Sequence, residues 1–546
     1  MRTLRRAMGM LAASTLLGAR LLSGAQDLAS PVAFLDGLGD HHYEITTSEP
    51  LAQRYFDQGL SLYYGFNHAE AVRSFGEAQR LDPSCAMCFW GEAIAYGPNI
   101  NLPMDEPSGR AAHAALRKAL AVRQHASERE RGLIDALSAR YAADAPADRA
   151  HLDQAYAEAM GDLAERWPDD IEIGTLYAEA LMDTRPWDYW TADGRPQPGM
   201  ADAFTYLERA MERDASHPGA CHFYIHAVEK VHPDRAVACA ERLASLMPGA
   251  GHIVHMPGHI YIRVGRYLDA VEANRHAVHA DETYILDQRP GVGMYTAGYY
   301  PHNYDFLTFA TLMIGLEEES IGAARKVVSL IPEEAYAAPG MGFLQHWSMR
   351  PSLVGLRFKR WGEVLATPAP PSDRLHATAM WHYARGRAMA AIGEVAGARA
   401  ELVSLRRIAE RPELQTMKME FNFSDDLVRL AERVLTGRVE AANGRYGTAV
   451  EALVEAVELE DALTYGEPPE WTVPSRLDLG EVLLEAGQYV NAERAFRASL
   501  AQFPQNMWAL HGLARALHGQ GREAEAVAVE AEIPAVPVGA GGHAGH

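Results

Sequence analysis

Small and apolar residues recur along the chain at fixed offsets. In YFDQGLSLYYGFNHAEAVRSFGEAQRLDP, Gly59 is followed by Ala71, Phe75, Ala78 and Pro83 at offsets of 12, 16, 19 and 24. GEVLLEAGQYVNAERAFRASLAQFP repeats those offsets with Gly480, Ala492, Phe496, Ser499 and Pro504, and Trp508, Gly512 and Ala524 start the pattern again. Gly437 with Ala449 and Ala456, and Gly386 with Ala398, are further copies. Steps of four and three place the Ala/Phe/Ala series on one stripe of a helix. The glycine twelve residues earlier lets a preceding helix approach that stripe, and the proline ends the unit. The pattern predicts helix hairpins stacked in succession, an all-α chain with no long-range β pairing.

The middle copies are more degenerate. MPGHIYIRVGRYLDAVEANRHAVHAD fits with Gly258, Ala270 and Ala277, and HFYIHAVEKVHPDRAVACAERLASLMP with Ala236, Ala240, Leu243 and Pro248, Tyr224 taking the glycine slot. The period and these residues resemble the tetratricopeptide repeat. YYGFNHAEA, CAMCFWGEA, LYAEALMDTRPWDYW, HFYIHAVE and PGAGHIVHMPGHIYIRVGRY together resemble a group of bacterial tetratricopeptide-repeat proteins from residue 51 to about 350. The resemblance implies a right-handed α-α superhelix with a groove lined by first helices. It implies no activity and assigns no catalytic residue, and its C-terminal part implies only the peptide or protein partner that such repeats usually bind.

Six segments are expected: a signal peptide at 1–25, a lead-in at 26–50, an N-terminal array at 51–366, a Pro-rich linker at 367–374, a C-terminal array at 375–534, and a Gly/His tail at 535–546. The first rests on Arg2, Arg5 and Arg6 before an apolar run, closed by Ser23-Gly24-Ala25, which predicts export to the periplasm or outside the cell. No apolar run is long enough to predict a membrane span.

Composition changes the picture in two ways. Lys and Arg total 50 against 72 Asp and Glu, a net charge of −22, which argues against nucleic acid as partner. Histidine is abundant, and ten of the 23 lie between His217 and His302. Six of these ten fall on three successive first helices. His222, His226 and Glu229 are spaced i, i+4, i+7; His252, His255 and His259 are spaced i, i+3, i+7; His302 and Asp305 are spaced i, i+3. Each set shares one helix face.

Packed first helices lie close enough for these imidazoles to meet around an ion. A His-rich set with carboxylates suits copper or zinc. Cys85 and Cys88 form a CxxC, read as a redox or copper-binding pair, a local disulfide, or packed small residues. Trp187 and Asp188 in MDTRPWDYW, and Tyr299 and Tyr304 in GVGMYTAGYYPHNYDF, are expected in loops that wall or cover the groove. His217, His232, His276 and His279 read as solvated or peptide-contacting. Two functions follow: an exported metalloprotein, catalytic if a coordination position is open, or a metal-free scaffold whose histidines contact a peptide.

Overall fold

The computed structural model describes residues 32–337 and 340–533, so the signal-peptide reading and the Gly/His tail fall outside the described residues. The described chain is α-helical, with three isolated β-bridges and no strand. It divides into two compact units. One is Met1–Ile260 with Arg275–Tyr300, and the other is Tyr261–Asn274 with Pro301–His546. Each is a solenoid of stacked helix hairpins. The Pro-rich stretch Thr367–Asp373 connects helices Trp361–Ala366 and Leu375–Ala391 inside the second unit.

The repeat's phenylalanine is the clearest link from sequence to packing. In the first unit, α1 (Pro50–Tyr64), α2 (His68–Leu81) and α3 (Ala86–Ala95) follow one another. Phe75 on α2 is fully buried, and its ring fills the space where a Cβ would stand at both Gly59 on α1 and Gly91 on α3. The second unit repeats this in its helices Ser475–Glu485, Tyr489–Gln502 and Met507–Gly519, where Phe496 lies against Gly480 and Gly512. One aromatic ring thus joins a hairpin to itself and to the next hairpin.

Three more helices of the first unit position the histidines: α4 (Ile171–Asp183), α5 (Pro218–Val228) and α6 (Gly251–His255). Pro257 interrupts the expected continuous helix, so α7 (Pro257–Arg263) follows after Met256. Every residue of α5 and α6 is buried. The expected loop around Tyr299 is instead a π-helical turn, Tyr295–Tyr299, that runs into helix Tyr300–Met313.

The lead-in before α1 is tied down by polar contacts. Gln58 on α1 bonds the backbone of Leu35 and Ala33, and Asp57 bonds His42 at 2.8 Å. His41 faces a buried carboxylate: its Nε2 and the Nε2 of His217 both lie 3.2 Å from Glu172 Oε2 on α4. His217 is buried, not solvated as expected, and caps α5, its Nδ1 accepting the Ala220 N–H at 3.1 Å. Its Nε2 therefore carries the proton and lies on the side of Glu172 Oε2, so this group pairs two imidazoles with a carboxylate and not bare nitrogens with one another. Burial works against charge on His41, but Glu172 outweighs it and raises the imidazole's pKa above 6.5. Burial likewise works against the Glu172 carboxylate, and the two imidazoles more than reverse it, holding its pKa below the usual range.

Phe496→Ala leaves a cavity between two hairpins and is expected to destabilise the second unit by about 3–5 kcal/mol, read as a lowered denaturation midpoint. His41→Gln is expected to lower Tm most at about pH 5–6.5. There His41 is charged by virtue of its raised pKa, and Glu172 is ionised by virtue of its lowered one. The difference from wild type shrinks as pH rises through the folded pKa of His41. An equal Tm loss at pH 6 and pH 9 would contradict the ion pair.

Candidate metal centre

Five of the six predicted histidines, with Glu229, come together in the first unit. His222 and His226 on α5, Glu229 at its C-cap, His252 and His255 on α6, and His259 on α7 are each 0–3% exposed. Their donor atoms form two groups, His222/His226/His252 and His226/Glu229/His259, each converging to within 4.8 Å of one another. Both groups could hold a metal ion.

The hydrogen bonds fix which nitrogens are available. His222 Nδ1 lies 2.7 Å from the Tyr64 carbonyl oxygen, which only accepts, so Nδ1 carries the proton and Nε2 is bare. That bare Nε2 faces His252 Nε2 at 3.2 Å. Two nitrogens bound to one ion at 2.0–2.1 Å with a tetrahedral angle would stand about 3.3 Å apart. A second pair, His255 Nε2 and His259 Nε2, is 2.9 Å apart, the separation of about 2.9 Å that a right angle at the ion gives for the same bond lengths. Behind His259, Glu229 Oε2 stands 2.9 Å from Nδ1. A carbonyl behind one imidazole and a carboxylate behind the other is the support that metal-bound imidazoles ordinarily have.

Between the pairs sits His226. Among the described residues neither of its ring nitrogens has a hydrogen-bond partner, and its Nδ1 lies 3.6 Å from Glu229 Oε1. His252 Nδ1 is also buried without a partner. Burial, followed by neighbouring imidazoles, holds the pKa of His222, His226 and His252 well below 6.5. The rings are neutral at physiological pH, the form that ligates metals.

Aromatic rings enclose the cluster, and two stand on unusual backbone. Phe66 has φ 56° and Trp187 φ 65°, left-handed values that bulky residues rarely adopt. Phe66 stacks on His252 at 5.2 Å and meets His222 edge-on at 4.6 Å, while Trp187 meets His226 edge-on at 5.2 Å. Tyr299, buried at the end of the π-helical turn, lies 4.7 Å from the His252 ring. Phe66 stands in the turn between two helices of a hairpin, where Gly393, Gly444, Gly487 and Gly521 also have positive φ, so its backbone belongs to the repeat while its ring reaches the histidines.

His302, Tyr304 and Asp305 belong to the second unit, where Asp305 pairs with Arg350 at 2.8 Å and both are buried. Lys326 lies over the Tyr304 ring. Asp188 is exposed and accepts from Gln197 at 3.1 Å. Cys85 and Cys88 are joined in a disulfide, so their sulfurs are taken up by each other, whereas Cys221 and Cys239 are buried and free. His276 and His279 are exposed, as expected. Sequence reasoning missed Phe66, Tyr64 and Glu172. Only the Gly65-Phe66-Asn67 turn signal before α2 pointed towards the first.

No described helix is long and apolar enough to cross a membrane. Residues 483–537 match the family model described as the tetratricopeptide repeat. No curated protein sequence matches the chain. Among solved structures, a human IFIT1 dimer with PPP-AAAA is 13% identical over 88% of this chain and 93% of its own, with a TM-score of 0.33. The TPR domain of P58(IPK) is 11% identical over 86% and 98%, with a TM-score of 0.23. Yeast Tom70 is 12% identical over 89% and 92%, with a TM-score of 0.26. The ligand in the IFIT1 structure is a fact about that protein. The described chain is thus built of stacked helix hairpins, and residues 483–537 of it match the tetratricopeptide-repeat model.

Proposed function

We propose that the buried histidine cluster of the first unit is a transition-metal centre and that the repeats serve as its scaffold. The observation that carries this is the facing pair His222 and His252. One Nε2 is bare because its ring is committed to the Tyr64 carbonyl, and the other lies 3.2 Å away. Imidazole donors with one nearby carboxylate suit copper and zinc alike. The acidic balance of the chain favours a cation here. Where three side chains hold an ion, a fourth position is left for water or a substrate oxygen, and the ion would act there as a Lewis acid. Catalysis at such a position is part of the proposal.

The alternative, histidines that contact an extended peptide, needs rings accessible from a groove. Burial of all five to 0–3% exposure disfavours that use of them. Tetratricopeptide repeats as a class bind protein partners, and a partner on other faces of this chain is compatible with a metal inside. Export is proposed on the basic and apolar residues of the first 25 positions, and the Cys85–Cys88 disulfide is in keeping with an oxidising compartment.

Untagged full-length protein, stripped with a chelator and resupplied with Zn(II) or Cu(II), is expected to retain at least about one equivalent through gel filtration. At about a hundredfold excess over Kd, it is expected to gain about 2.7 kcal/mol of stability. The double substitution His222→Ala/His252→Ala should weaken binding at least as much as loss of a supporting residue does, about 10–100-fold. Retention below about 0.2 equivalents by a folded protein, or unchanged affinity in that variant, would contradict the metal reading.

A further inference from the structure

His226 stands between the two imidazole pairs. Its ring centroid is 5.0 Å from that of His222 on one side and 5.3 Å from that of His259 on the other. It is the residue common to both candidate donor groups. Its Nδ1 faces Glu229, and neither nitrogen is hydrogen-bonded although the residue is only 2% exposed.

The two lone-pair directions of an imidazole diverge, so one ion cannot take both nitrogens. A neutral ring bound to a single ion keeps an N–H that needs an acceptor, and Glu229 Oε1, 3.6 Å from Nδ1, is beyond hydrogen-bond distance, so that donor would be buried unpaired. Two ions remove the difficulty. The first binds one nitrogen. The second displaces the proton from the other, which passes to solvent, and the ring remains as an imidazolate with a lone pair on each ion.

We propose that the centre holds two ions bridged by His226. His222 and His252 complete one subsite. His259 completes the other, with Glu229 beside it and His255 Nε2 at 2.9 Å from His259 Nε2. The inference rests on the metal reading above and adds the number of ions and the role of one residue.

Cu(II) distinguishes the outcomes. The stripped, untagged full chain is titrated with Cu(II), freed of loosely held ion by gel filtration, and followed by elemental analysis and electron paramagnetic resonance. The bridge predicts a resonance that grows to one equivalent and then falls as the second ion couples magnetically to the first through the ring, with two equivalents bound at the end. In His226→Gln that fall disappears. Two equivalents with additive, uncoupled signals, or saturation at one equivalent, would overturn the bridge and leave the metal reading intact. No retained copper would overturn both. The wild-type titration decides the matter even if the His226→Gln chain does not fold.

Discussion

The Nδ1–H of His222 is committed to the Tyr64 carbonyl at 2.7 Å, and the chemistry of the cluster hangs on that bond. It fixes the Nδ1–H tautomer of His222 and leaves the bare Nε2 facing His252. Tyr64 is itself fixed from two directions. Its hydroxyl donates to Glu172 on α4, and its ring occupies the space over Gly219 near the start of α5, where a side chain would collide with it. Through Glu172 it reaches His41 and His217, so the anchored lead-in and the histidine cluster share one residue.

Burying five imidazoles and a carboxylate together is unfavourable unless something compensates for their lost hydration. The backbone carbonyl of Tyr64 and the Glu229 carboxylate compensate two of the rings. Nothing in the hydrogen-bonding pattern does so for His226 or for Nδ1 of His252. Phe66 and Trp187 add to the expense, since both rings are brought over the imidazoles by backbone in the left-handed region. The cation proposed for this cluster would compensate the unpaired nitrogens.

The sequence revealed the solenoid because its packing is periodic: Gly59 and Gly91 around Phe75, and Gly480 and Gly512 around Phe496, appear as fixed offsets. The histidines of α5, α6 and α7 were legible for the same reason, since residues three, four and seven apart share a helix face. What spacing cannot show is which distant residue stands behind each ring. Tyr64 lies 158 positions from His222, and its contribution is a backbone carbonyl that leaves no residue signature. Asp305, a further candidate donor by its spacing from His302, is held by Arg350, a contact that no local pattern announces. His217 read as solvated or peptide-contacting because a single histidine in a repeat groove usually is, yet it is buried, caps α5 and faces Glu172.

Diffraction from crystals of the zinc-loaded chain, recorded on both sides of the zinc absorption edge, shows whether His222 and His252 share an ion. A shared ion gives anomalous density about 2.0–2.1 Å from Nε2 of both residues, with His222 Nδ1 still on the Tyr64 carbonyl. Anomalous density confined to exposed histidines such as His276 and His279, with the buried rings hydrogen-bonded to one another or to water, would contradict it.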